Sequence, residues 1–150
     1  MSKFTPRNPD FAARVQRSFE NQGFMAHLGA KLSSVEAGFV EIELPFKAEL
    51  RQQHGFFHGG VVGSLADNCG GYAAYTLLRA QDSVVTVEYK LNIMAPAAGD
   101  TLMAQGRVVR AGRQLFVTQA DVFSRKDGRD VHCATMLGTF MTLIDTPEIG

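Results

Sequence analysis

What the sequence lacks narrows it first. The 150 residues contain no tryptophan, two cysteines and no excess of either charge, with fifteen Lys and Arg balancing fifteen Asp and Glu. Cys69 and Cys133 stand far apart in apolar surroundings without CxxC spacing, so buried reduced thiols are expected rather than a disulfide framework. Without clustered Lys and Arg the chain has no footprint for nucleic acid, because phosphate binding needs concentrated positive charge. A few arginines could still hold a phosphorylated small ligand. No apolar run approaches the ~18 residues of a membrane span. The opening stretch MSKFTPRNPDFAARVQ has no apolar core and no cleavage pattern, so no signal peptide is read and a cytoplasmic location is expected. Repeats, low-complexity tracts and Gly/Ser linkers are also missing. One domain over residues 1–150 is the expectation.

What is present alternates between two periods. Residues 9–22 place Phe11, Ala12, Val15 and Phe19 on one helical face, with Gly23 expected to end the helix. Short strands are expected near 28–36 and 39–45, where Val40, Ile42 and Leu44 alternate with Glu41 and Glu43. From His58 to about Leu78 the period becomes helical: Val62, Leu65, Ala66, Cys69, Tyr72, Ala73 and Thr76 recur on one side. Gly60, Gly63, Ser64, Asp67, Gly71 and Tyr75 fall on the other. Period two returns at Val85, Val87, Tyr89, Leu91 and Ile93. Turn signals at Pro96 to Gly99, Ala111-Gly112 and Lys126 to Gly128 then divide the remainder into strands near 100–110, 114–125 and 130–143. The reading is α+β: a long central helix with an antiparallel meander, its small-residue face and sheet edges uncovered in a lone copy. At least a homodimer is expected.

The chemistry concentrates on the long helix. Between Arg51 and Arg79 the only unambiguous charge is Asp67. A carboxylate in so apolar a helix is costly to ionise, which raises its pKa toward the range of a general base; a polar mark on a wet face or dimer contact is the alternative. His58-Gly59-Gly60 opens the same helix. The first N–H groups of a helix have no internal acceptor and lie at the positive end of its dipole, and glycines admit a ligand close to the backbone. Such an N–H can polarise a carbonyl and stabilise the oxyanion that forms on it, although an ordinary glycine-rich helix entry would look the same. His54 and His58 are four residues apart, but Gly55 and the HGG mark a loop and no third ligand stands out except Asp67, so no metal is expected.

Taken together, QQHGFFHGGVVGSLADNCGGYAA resembles the hotdog-fold thioesterases of the phenylacetate-pathway type, related to the 4-hydroxybenzoyl-CoA thioesterases. The shared pattern is HGG followed by an acidic residue nine positions after the histidine, which here is Asp67. VTVEYKLNIMAPAAGD and VVRAGRQLFVTQADVF extend the resemblance over most of the chain from about residue 25. It implies a hotdog fold, a central helix wrapped by about six antiparallel strands, and hydrolysis of acyl-CoA to a free acid and CoA with no cofactor. It assigns Asp67 as general base or nucleophile, the Gly59 N–H as the group polarising the thioester carbonyl, His58 as organiser of the loop, and Thr86 as orienting the attacking water. Gln52 stands where relatives carry Asn, with Gln53 beside it. The resemblance also implies a homodimer or homotetramer with the glycine loop of one subunit facing the carboxylate of the other. Gly60, Arg110 and Arg113 are the expected substrate-binding residues, the arginines at the CoA phosphates with Arg125 and Lys126 behind them; a solvated charged turn is the plain alternative. Phe56, Phe57, Tyr72 and Tyr75 could line an acyl pocket or pack the core. Two other readings stay open: a non-catalytic acyl-CoA-binding hotdog protein, and a hotdog hydratase or dehydratase.

Overall fold

A computed structural model of the protein describes residues 3–149, so both ends of the expected 1–150 domain lie outside the described residues. Helices α1 (Phe11–Glu20) and α2 (Gly23–Leu28) precede strands β1 (Lys31–Glu36) and β2 (Phe39–Pro45). The long helix α3 (Gly59–Tyr75) follows, then β3 (Ser83–Ile93), β4 (Thr101–Ala111), β5 (Leu115–Lys126) and β6 (Arg129–Leu143). All six strands form one antiparallel sheet in the order β1-β2-β4-β5-β6-β3.

Two expectations need correction here. Gly23 does not close the first helix; Asn21 caps α1, and Gly23 opens α2, a short helix whose end is marked by Gly29 at φ +85°. The strands do not form a simple meander either. β4, β5 and β6 do, but β3 skips its successor and pairs with β6, Ser83 opposite Leu143 and Ile93 opposite Ala134. That leaves β3 as one open edge of the sheet, with β2 hydrogen-bonded to β4 across the other half.

The core lies between α3 and the concave face of the sheet. Val62, Leu65, Ala66, Cys69 and Ala73 from the helix meet Val40, Ile42, Leu44, Leu102, Ala104, Val108, Phe116, Ala120, Val122, Met136 and Phe140 from the strands, all buried. Each large apolar side chain removed from water in this way contributes about 1.5–3 kcal/mol before chain entropy is counted. The helix comes so close to β4 that a Cβ on Gly106 would lie 2.4 Å from the Cys69 carbonyl oxygen. The Cys69 Sγ sits 3.0 Å from the Val40 oxygen and 3.2 Å from the Ala104 oxygen, and burial raises its pKa well above a free thiol. Both cysteines are reduced and buried, as expected.

The small-residue side of α3 is covered in part by its own chain. Gly63 packs on Leu91 and Gly71 on Phe140, so these glycines let β3 and β6 of the same chain approach the helix. Gly60 is exposed, and Ser64, Asp67 and Asn68 stay half-open.

Candidate active site

His58 stands at the N-cap of α3 with extended backbone, and its Nδ1 accepts the Gly60 N–H at 2.9 Å. The ring thereby does what a Ser or Asp does at most helix starts, satisfying one of the unpaired first-turn donors. Val61 and Val62 donate to the His58 carbonyl. The Gly59 N–H, at the first helical position, has no acceptor among the described residues, and it lies at the positive end of the dipole. Gly59 also packs closely on β3: a Cβ there would meet the end of Ile93 at 3.1 Å.

Asp67 sits two turns further along α3. Thr86 of β3 donates its hydroxyl to the Asp67 carboxylate at 2.8 Å. Burial holds the Asp67 pKa above the ordinary aspartate value, with the Thr86 hydrogen bond pulling partly the other way. The structure therefore brings two expected residues, Asp67 and Thr86, into direct contact, and gives His58, Gly59 and Gly60 a defined cap.

It does not bring the two halves together. Gly59 and Asp67 are eight residues apart on one helix, about 12 Å at helical rise, too far to act on one carbonyl. Gln52 is not at Asp67 within the chain; its side-chain oxygen accepts the His54 N–H, and its backbone pairs with Phe56 across the loop before α3. Arg110 and Arg113 are exposed at the turn between β4 and β5. Arg125 and Lys126 do not stand behind them. They lie at the opposite end of β5, where Arg125 is ion-paired with Asp130 at 2.7 Å. Turns adjacent along the sequence were read as adjacent in space, but one strand of twelve residues separates them. Among the described residues no group of three or more His, Cys, Asp or Glu side chains gathers as a metal site.

A cavity of about 240 Å³ opens beside Asp67 and runs under α3. Asn68, Gly71, Tyr72 and Tyr75 line it from the helix, Val84, Val85 and Thr86 from β3, Phe140 from β6, Gln22 from the α1–α2 junction, and Glu148 from the C-terminal tail. Tyr72 and Tyr75 thus face the cavity, whereas Phe57 packs edge-on to Phe46 in the core. Sequence reasoning missed Gln22, Asn68 and Glu148. Asn68, next to Asp67 in an apolar helix, carried the same signal of a polar group out of place. Gln22 and Glu148 carried none, because only the fold brings them here.

The match that decides the family is to the thioesterase superfamily model, over residues 54–131, which spans the helix cap, Asp67, Thr86 and the β4–β5 hairpin. The chain belongs to the thioesterase superfamily. It is 31% identical over 127 residues to the proofreading thioesterase EntH of Klebsiella pneumoniae, covering 85% of this chain and 90% of the relative. It is 29% identical over 109 residues to the acyl-coenzyme A thioesterase PaaI of Escherichia coli, covering 72% and 76%. Among solved structures, a thioesterase family protein from Silicibacter pomeroyi superimposes with a TM-score of 0.88 at 40% identity, covering 89% of this chain and 98% of that one. The E. coli PaaI structure superimposes with a TM-score of 0.82 at 23% identity, over 95% and 99%. The fold is the hotdog fold, and this thioesterase is a thioester hydrolase.

Proposed function

We propose that this thioesterase hydrolyses acyl-CoA at a site shared between two copies, in the cytoplasm and as one hotdog unit. The observation that carries the reading is the Asp67–Thr86 pair beside a cavity, with a Gly59 N–H on the same helix that has no acceptor among the described residues. Asp67, partly desolvated, takes a proton from water that Thr86 helps to orient, or attacks the thioester carbon itself. The Gly59 N–H polarises the carbonyl and holds the oxyanion as the tetrahedral centre forms. Collapse of that centre expels the CoA thiolate.

The open edge of the sheet supports a second copy. Strand β3 is an open edge on which Val85, Val87, Tyr89 and Ile93 are exposed, apolar surface that a solitary sheet would not leave in water. If two β3 strands pair antiparallel about Tyr89 and Lys90, Ile93 lies opposite the partner's Thr86. Gly59 packs on Ile93 and Asp67 bonds Thr86. The same pairing therefore lays the helix cap of one copy beside the carboxylate of the other, closing the gap that one helix cannot.

The test is a panel of acyl-CoA thioesters followed by thiol release, which should show turnover for at least one acyl class. No turnover on any member would overturn the acyl-CoA reading. Arg110 and Arg113, exposed at the β4–β5 turn, are assigned to the CoA phosphates. Replacing both with Ala should raise KM for acyl-CoA with kcat nearly unchanged, since ground and transition states lose the contact alike. A thioester without the nucleotide should be hydrolysed as before. An unaltered KM for acyl-CoA makes them a solvated turn only.

A further inference from the structure

The cavity beside Asp67 ends on a polar wall. Ser18 of α1 donates to Glu148 Oε1 at 2.8 Å, and the Ser18 oxygen lies 2.9 Å from the Tyr72 hydroxyl. Since Ser18 spends its proton on Glu148, Tyr72 donates to Ser18, giving a chain from Tyr72 through Ser18 to Glu148. Burial pushes Tyr72 up to about 12, so its donor proton stays in place at neutral pH. These bonds join parts of the chain 54 and 130 residues apart.

The tail is held where this wall needs it. Asp82, buried, accepts two bonds from Arg79 at 2.7 and 2.8 Å and the Asp145 N–H at 3.0 Å. Arg79 also reaches the Asp145 carboxylate at 3.2 Å. Arg14 of α1 donates to the Arg79 carbonyl at 2.7 Å and to the Asp82 carbonyl. Tail, α1 and the start of β3 are thus tied at one knot just ahead of Glu148.

Beyond the wall lies a second cavity of about 250 Å³, lined by Arg14, Arg17, Ser18, Asn21, Tyr75, Ala80, Pro147 and Glu148. Ser18, Tyr75 and Glu148 line this cavity, and Tyr75 and Glu148 line the first as well. Tyr75 and Glu148 therefore stand between the two spaces. With the partition in place the inner space, about 240 Å³, falls below the ~300–1,000 Å³ of pockets that hold drug-sized ligands.

Resting on the acyl-CoA reading of the site, we propose that Glu148 is a specificity-determining residue: with Ser18 and Tyr72 it forms the end wall of the acyl subsite and limits the enzyme to small acyl groups, a single ring or a short chain. A long apolar chain would have to displace the Glu148 carboxylate and leave the buried Ser18 and Tyr72 hydroxyls without their acceptor, which costs free energy that the chain does not return. Opening the wall joins the two cavities and gives a longer chain a path outward past Arg14 and Arg17.

The experiment compares wild type, Glu148→Gln and Glu148→Ala by two readouts: kcat/KM over a series of straight-chain acyl-CoAs of increasing length, and calorimetric binding of the matching free carboxylic acids. Wild type should favour the short members in both. Glu148→Gln, which keeps an acceptor for Ser18, should keep that cut-off. Glu148→Ala should raise the long-to-short ratio by tenfold or more. Equal length profiles for Ala and wild type overturn the wall, as does wild-type preference for long chains or failure of any acid to bind. A length shift in acid binding without hydrolysis of any thioester supports the wall and overturns the acyl-CoA hydrolysis reading instead. Melting temperature is followed alongside, since a merely structural Glu148 would lower it and leave the length profile unmoved.

Discussion

Asp67 shows how much one residue can disclose and where its message stops. As the lone charge in an apolar helix, nine residues after a histidine, it was legible from the sequence as a desolvated carboxylate, and the structure finds it so. Its bond to Thr86 was not legible: the resemblance placed Thr86 only as orienting water, and nothing in a strand's alternation says which hydroxyl will meet which helix. Asp67→Asn keeps the shape and the acceptor for Thr86. It should lower kcat by roughly 10²–10⁴, the usual range for a lost general base, with substrate affinity little changed. The sign of its effect on stability follows from the raised pKa. The folded protein binds the Asp67 proton more tightly than the unfolded chain does, so ionisation costs stability as pH rises from the unfolded value near 3.8 through the folded one. The Asn variant should therefore melt at or above wild type at neutral pH, with the difference vanishing below about pH 3.8. In wild type the acid limb of kcat should fall at a pH above the ordinary aspartate value. An Asn variant with wild-type turnover would remove Asp67 from the chemistry.

At the scale of elements, period and turn chemistry carried the strands and the long helix close to their true limits, because apolar alternation and Gly or Asp turns are local signals. Pairing is not local. The expected meander failed at β3, whose sequence would suit a neighbour of β4 but whose partner is β6, forty residues or more away along the chain. The short helix α2 was lost for a similar reason: Gly23 reads as a stop, yet it begins a turn whose buried faces, Met25 and Leu28, are set by the core. Gly106 is the element-scale counterpart. It sits where α3 crosses β4, and a methyl group there would overlap the Cys69 backbone. Gly106→Ala should cost about 1–3 kcal/mol, as overpacking of a tight core does, measured by denaturant unfolding. Because Cys69 is two residues beyond Asp67, the helix must shift and kcat should drop as well. A variant as stable and active as wild type would show that the helix can move freely off the sheet.

For the whole molecule the decisive matter is whether one copy holds a complete site. Asp67→Asn and Gly59→Val chains, each inactive alone, should regain activity when co-expressed, since a mixed pair contains one cap and one carboxylate that are both intact. Sedimentation should show a dimer or a tetramer. Mixed chains without activity, or a monomer at micromolar concentration, would place the entire site in one copy. The edge position of β3 has one more consequence, in the order of synthesis. Thr86 leaves the ribosome early, yet the only strand that can hold it in place within the chain is β6, which ends at Leu143. Until β6 emerges, β3 has no neighbour on either side and its exposed apolar side chains have nowhere to go. The Asp67–Thr86 pair is thus fixed only once β6 has left the ribosome, and a nascent chain cut short before β6 carries Gly59, Asp67 and Thr86 but cannot hold them together.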